Sequence, residues 1–157
     1  VPVVIVRPFN CYGPRETQPY VVPEIIAQLS KNNTVKLGNV EAKRDFTYVE
    51  DTARGAIMTM ESDIPNGEVV NLGSNKSYSI KEVAYLIAKL IGYDDIEMVI
   101  DKSRLRPLDV NILQCDYSKA KSLMRWEPKI DIDDGLKRTL DWYMKNGNHW
   151  TWEKIIE

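Results

Sequence analysis

The stretch that most constrains this chain is its opening: Val3-Val4-Ile5-Val6, four β-branched apolar residues in a row, closed off by Arg7-Pro8. A run without alternation has no face to give to water, so it suits a strand buried on both sides, as in a parallel sheet covered by helices. Pro8 cannot donate to a ladder, and Gly13-Pro14 turns the chain soon afterwards. The strand therefore delivers Pro8, Phe9, Asn10 and Tyr12 to a loop at its carboxyl end, where open α/β sheets bind ligands. Such a strand needs neighbours on either side, yet only two residues precede it. The chain reads as beginning in the middle of a domain, with edge-to-edge association as the expected hazard.

Strands and helices alternate along the rest of the chain. Pro23 suits a helix start, and Ile25, Ile26 and Leu29 give that helix an apolar face to about Lys31. Val35-Lys36-Leu37 reads as a short strand before the Gly38-Asn39 turn, and Phe46 to Val49 as another. A helix opening near Asp51 is expected to bury Ala53, Ala56, Ile57 and Met60. Val69 to Leu72 is a compact strand. Ser79-Ile80-Lys81-Glu82 is a capping box, opening a helix with the stripe Ile80, Val83, Ala84, Ile87, Leu90 and Ile91, which Gly92 stops. Ile96 to Ile100 is a strand, and Ile112 to Cys115 an extended segment. Asp116 caps a short helix ended by Trp126-Glu127-Pro128. A last amphipathic helix starts near Asp133, and the tail with Trp150, Trp152 and Ile155-Ile156 is expected to dock on the body. The class is α/β with a mixed, partly parallel sheet.

The formal net charge of -2 gives no global pull toward nucleic acid or an anionic membrane. No apolar run has membrane-spanning length. Cys11 and Cys115 lie far apart without metal or redox spacing and read as small buried hydrophobes, which suits a reducing compartment. The one histidine, His149, sits in a polar tail and has no ligand partner at useful spacing. No nucleophile–base set and no glycine-rich phosphate loop can be assembled. Anion binding is better supported. Arg44 and Arg106 each lie near a carboxylate, Asp45 and Asp109, so ordinary ion pairs are the plain reading. The functional one uses the guanidinium fork, which matches phosphate bidentately. Two forks and the Asn10 amide can hold a diphosphate from several sides.

Five segments in order then resemble the NAD-dependent epimerase/dehydratase family, the extended short-chain dehydrogenases that act on nucleotide sugars. They are Arg7-Pro8-Phe9-Asn10-Cys11-Tyr12-Gly13-Pro14-Arg15, Lys43 to Asp51, Val70-Asn71-Leu72-Gly73, Arg106-Pro107-Leu108-Asp109 and Trp126-Glu127-Pro128. The resemblance is to the carboxyl-terminal half. The family's glycine-rich NAD fingerprint and Tyr-x-x-x-Lys pair are not in this chain. It implies that residues 1–157 contribute the last strands of a Rossmann-type parallel sheet plus a small mixed α/β substrate-binding domain, without the amino-terminal NAD-binding half.

The resemblance also assigns roles. Asn10, Arg44, Arg106 and the backbone of Val21 match contacts to the substrate diphosphate. Val35 and Leu37 match residues packing the nucleotide base. Asn71 and Asp109 match positions near the nucleotide and its ribose, and Pro8 and Cys11 flank the nicotinamide of NAD. Leu108 stands where the family usually has glycine. No catalytic residue and no metal site is expected in these residues. The segment Leu37 to Phe46 is closest to sugar-nucleotide 4,6-dehydratases, with 4-epimerases and UDP-glucuronate decarboxylases as near alternatives, and a non-catalytic nucleotide-sugar-binding module as an alternative of another class. The implied whole enzyme is a cytoplasmic homodimer. It oxidises the sugar at C4 by hydride transfer to NAD, with a Tyr and a Lys outside this chain handling the proton, while the residues present anchor the nucleotide diphosphate and turn over nothing alone.

Overall fold

A computed structural model describes residues 1–147; the expected docking of the tail and His149 fall outside the described residues. Among the described residues eight strands and five α-helices follow one another, with one 3-10 turn at Lys102–Arg104. β1 (Ile5–Pro8) and β2 (Asn10–Tyr12) open the chain, then α1 (Val21–Leu29), β3 (Thr34–Leu37), β4 (Lys43–Tyr48) and α2 (Val49–Glu61). β5 (Val69–Leu72), β6 (Ser77–Ser79), α3 (Ile80–Ile91) and β7 (Glu97–Ile100) come next, and then β8 (Ile112–Leu113), α4 (Ser118–Met124) and α5 (Ile132–Asn146).

The opening stretch changes partner in mid-course. β1 runs parallel to β5, Ile5 opposite Val69 and Pro8 opposite Leu72. One residue later β2 runs parallel to β4, Asn10 opposite Phe46 and Tyr12 opposite Tyr48. The Phe9 N–H still donates to Leu72 O at 2.9 Å, so the switch falls between Phe9 and Asn10. Diverging neighbours leave a crevice at such a point. β4 also carries β6 antiparallel and β8 parallel, and β3 pairs parallel with β7.

The opening strand is not buried on both faces as its sequence suggests. Val4 and Val6 pack on a small core of Ile64, Val70, Leu72, Ala120, Met124 and Trp126. Val3 and Ile5, pointing the other way by the two-residue period of a strand, are 52% and 47% exposed.

The helix α2 corrects a second expectation. Ile57 and Met60 are exposed, and the buried face is Asp51, Gly55 and Thr59. A Cβ on Gly55 would stand 2.6 Å from Leu72 Cδ1 and 2.8 Å from Trp126 Nε1, so only glycine lets the helix settle this close. Trp126, wholly buried, donates its Nε1–H to Asp51 O at 3.1 Å. Polar anchoring and a missing side chain, not the apolar stripe, choose the inward face.

Other boundaries move by smaller amounts. α1 begins at Val21, two residues before Pro23, and β4 starts at Lys43 and yields to α2 at Val49. The capping box of α3 forms as read: the Glu82 N–H donates to Ser79 Oγ at 3.1 Å and the Ser79 N–H to Glu82 Oε2 at 2.6 Å. Gly92 closes the helix with φ 106°, a left-handed conformation that glycine adopts without strain. The larger core joins α1, α3 and α5 through Val22, Ile25, Leu29, Val83, Ile87, Leu136 and Tyr143, under β2 to β4.

Candidate functional site

The partner switch at Asn10 opens onto a cavity of about 650 Å³. Five pieces of chain converge on it. β2 brings Asn10 and Cys11; the amino end of α1 brings Tyr20, Val21 and Glu24; the end of β3 brings Leu37, Gly38 and Asn39. β4 brings Arg44 and Phe46, and the segment after β7 brings Arg104, Arg106 and Asp109. Of the positions singled out in the sequence, Asn10, Cys11, Val21, Leu37, Arg44, Arg106 and Asp109 line this one space. Three others do not. Pro8 is exposed at the end of β1, Val35 is wholly buried in the core behind β3, and Asn71 lies on β5 with its Nδ2 3.5 Å from Asp116 O.

The arginines differ in how they are held. The Arg44 guanidinium donates to Asp109 Oδ1 at 2.6 Å, to Val110 O at 2.6 Å and to Lys43 O at 2.8 Å. Asp109 in turn accepts from Asn39 Nδ2 at 3.0 Å. Arg44 is thus fixed in orientation, with its partner carboxylate bound to a third residue. Arg104, two residues before Arg106 in the same basic cluster, donates to Glu24 Oε1 at 2.9 Å and stands 3.3 Å from Asp101 Oδ2. Arg106 is exposed and makes no ion pair among the described residues. Its fork stays available to an anion.

The first turn of α1 faces the same space. Its backbone N–H groups have no side-chain cap, because Tyr20 at the cap position accepts none. Uncapped N–H groups with the positive end of the helix dipole complement negative charge. Three arginines, one of them unpaired, the Asn10 amide and this helix end make the cavity a polydentate receptor for an extended anion.

Glu16 also escapes a reading of the sequence. It comes just after the Gly13 turn, where the Glu16 N–H reaches Gly13 O at 3.3 Å, and its carbonyl accepts the Tyr143 hydroxyl. Burial pushes its carboxyl up to about 8. The neighbouring Cys11 thiol is raised as well, mainly by burial; the Thr52 hydroxyl opposes this and the Glu16 carboxyl adds to it. No local pattern marks Glu16, Glu24 or Asn39, since only the fold brings them to the cavity.

Among the described residues, no group of three or more His, Cys, Asp or Glu side chains gathers where it can hold a metal ion, and no helix is long and apolar enough to cross a membrane. For NAD, the described residues offer a wall only: Cys11 faces the cavity half-buried, Pro8 lies outside the cavity lining, and no glycine-rich turn opens a helix to hold a dinucleotide pyrophosphate.

The chain is similar to known proteins over most of its length. A family model described as GDP-mannose 4,6 dehydratase matches residues 1–139. A UDP-glucuronate 4-epimerase of Thermodesulfobacterium geofontis is 35% identical over 147 residues, covering 92% of this chain and 44% of that protein. A dTDP-D-glucose 4,6-dehydratase of Mus musculus is 32% identical over 162 residues, covering 99% of this chain and 45% of that protein. Among solved structures, a dTDP-glucose 4,6-dehydratase of Bacillus anthracis in complex with NAD superposes with a TM-score of 0.83 at 28% identity, over 99% of this chain and 48% of that one. The chain spans about half the length of the curated relatives it matches.

Proposed function

Since the chain belongs to the GDP-mannose 4,6-dehydratase family of NAD-dependent nucleotide-sugar epimerases and dehydratases, we propose that it is the substrate-binding portion of a nucleotide-sugar 4,6-dehydratase. The observation that carries the binding role is the convergence of Asn10, Arg44, Arg106 and the open end of α1 on one cavity. A nucleoside diphosphate is the extended anion that suits them. Arg106 meets the diphosphate with a free fork. Arg44, aimed by Asp109 and Val110 O, meets it from the β4 side. The Asn10 amide and the Val21 end of α1 close the remaining directions. Leu37 offers an apolar surface to the base, and Asp109 and Asn39 are placed to accept and donate to a ribose.

NAD, when bound, supplies the acceptor for the hydride taken from the sugar. The residues here act by holding the diphosphate, so that binding energy from a group that does not react fixes the orientation of the one that does. On this reading residues 1–157 alone bind and do not turn over. The whole enzyme works as a homodimer in the cytoplasm. A nucleotide-sugar 4-epimerase is the second reading, favoured by the 35% identity to such an enzyme. Names among the similar proteins divide between neutral hexoses and uronates, as in dTDP-D-glucose and UDP-glucuronate.

Calorimetric titration with UDP, dTDP and GDP tests the binding role. At least one should bind, and Arg106→Ala should weaken it by about 1.5–3 kcal/mol, the scale of a hydrogen bond to a charged group. Silence from all three, or an unchanged affinity in Arg106→Ala, would refute it.

A further inference from the structure

The cavity holds one buried polar group that binding of a diphosphate leaves unused. Glu16 lies between β2 and α1 beside Cys11. Its tether to Tyr143 runs through its main-chain carbonyl, so the residue is fixed while the carboxyl is not. Carboxyl oxygen Oε2 is buried and has no hydrogen-bond partner, and no ion pair reaches Glu16 among the described residues. Burial alone moves its titration upward; a cation nearby would have opposed that. The Thr52 hydroxyl, also buried, is turned to the same Cys11 thiol and opposes the rise in its titration. Leaving an atom such as Glu16 Oε2 unmet costs about 1–3 kcal/mol. Glu16 and Cys11 mark one spot on the cavity wall.

That spot stands where the sugar would lie. Cys11 is opposite Thr47, three residues along β4 from Arg44. At about 3.3 Å per residue this is about 10 Å, the step from a diphosphate to a hexose joined to it. We propose that Glu16 is a specificity-determining residue that takes a hydroxyl of a neutral hexose and disfavours nucleotide-linked uronates. The proposal rests on the nucleotide-diphosphate reading above.

A hydroxyl both donates and accepts, so it satisfies the Glu16 carboxyl whether that group holds its proton or not. A uronate carboxylate is different. It has no proton to give Glu16 and brings a negative charge beside a carboxyl that no ion pair reaches among the described residues: Arg44 is committed to Asp109, Arg104 to Glu24 and Asp101, and Arg106, the unpaired arginine of the same cavity, to the diphosphate on the reading above. Even if it shares the Glu16 proton, one net negative charge stays desolvated, which is costly.

The test uses calorimetry on the protein with UDP, dTDP and GDP, then with the neutral hexose and uronate conjugates of whichever diphosphate binds. The neutral hexose should bind at least tenfold tighter than the uronate. Glu16→Gln, which keeps the shape and removes the ionisable group, should narrow that ratio several-fold, and Glu16→Arg should invert it; circular dichroism establishes that each variant is folded. Equal affinity for both conjugates in the unaltered protein, or an unmoved ratio in folded Glu16→Gln, overturns the role of Glu16 while leaving diphosphate binding intact. Failure of all three diphosphates to bind overturns the underlying reading instead.

Discussion

Asp45 and Asp51 in the body of the molecule, and Glu16 at the cavity, are carboxyl groups withdrawn from water, yet they are provided for in opposite ways. Asp45 accepts the Ser74 N–H at 2.6 Å, the Ser74 hydroxyl at 2.8 Å and the Cys115 N–H at 3.0 Å. Asp51 accepts the Lys129 and Ile130 N–H groups, both at 2.8 Å, and the Arg54 guanidinium at 2.5 Å. Each ties its own segment to chain far along the sequence, and each has its lone pairs filled by donors inside the protein. Glu16 Oε2 has none. A buried carboxylate with every acceptor site filled is a staple; one left open beside a cavity is a site waiting for a donor from outside.

The largest way to break this contrast is Asp51→Ala. It strands two backbone N–H groups and a half-buried arginine, and should cost about 3–5 kcal/mol in urea unfolding. A cost below about 1 kcal/mol would deny Asp51 its stapling role. Asp45→Ala leaves the Ser74 and Cys115 N–H groups unmet and should cost about 2–4 kcal/mol, read the same way. Neither change touches the cavity lining.

At the cavity the effects move from stability to affinity. Arg44→Ala should weaken nucleoside diphosphate binding by about 1.5–3 kcal/mol. It should do so more than Arg106→Ala, because it also leaves the Asp109 charge facing the ligand. Adding Asp109→Ala to Arg44→Ala should recover part of the loss, and calorimetry on the three variants decides it. The smallest effect belongs to Glu16. Its carboxyl titrates at about 8 in the fold against 4.5 ordinarily. Stability from this group is therefore complete below about 4.5 and is lost as pH rises through about 8. Glu16→Gln should flatten thermal stability across that window, gaining on the order of 1 kcal/mol at its alkaline end, since the side chain keeps some solvent. An unchanged pH profile would show that the open carboxyl carries no penalty.

Sequence pattern is most legible where local chemistry decides the outcome. The Ser79–Glu82 box and Gly92 delimit α3 by bonds made within four residues, and they form as read. Legibility falls where partners are remote. The stripe Ala53, Ala56, Ile57 and Met60 looks like the inward face of α2, but Gly55 against Leu72 and Trp126, with Asp51 bound to Lys129 and Ile130, turns the other side inward. Val3 to Val6 looks buried throughout, but β5 is its ladder partner among the described residues and one core lies beneath it. The site shows the same division. Asn10, Arg44, Arg106 and Asp109 stand in segments with a recognisable order, whereas Glu16 and Glu24 reach the cavity only because α1 and α5 fold around it.

The Arg44–Asp109 pair has a further consequence for how a ligand arrives. At the mouth of the cavity the charge of Arg44 is already cancelled at 2.6 Å and that of Arg104 is shared with two carboxylates. Of the three cavity arginines, Arg106 alone offers an approaching anion an uncancelled charge, and that field fades within the roughly 8 Å screening length of physiological salt. Affinity should therefore lean weakly on ionic strength despite three arginines in the wall. Free phosphate and other polyanions gain little foothold, because recognition waits until a ligand is deep enough to use the forks, the amide and the helix end together.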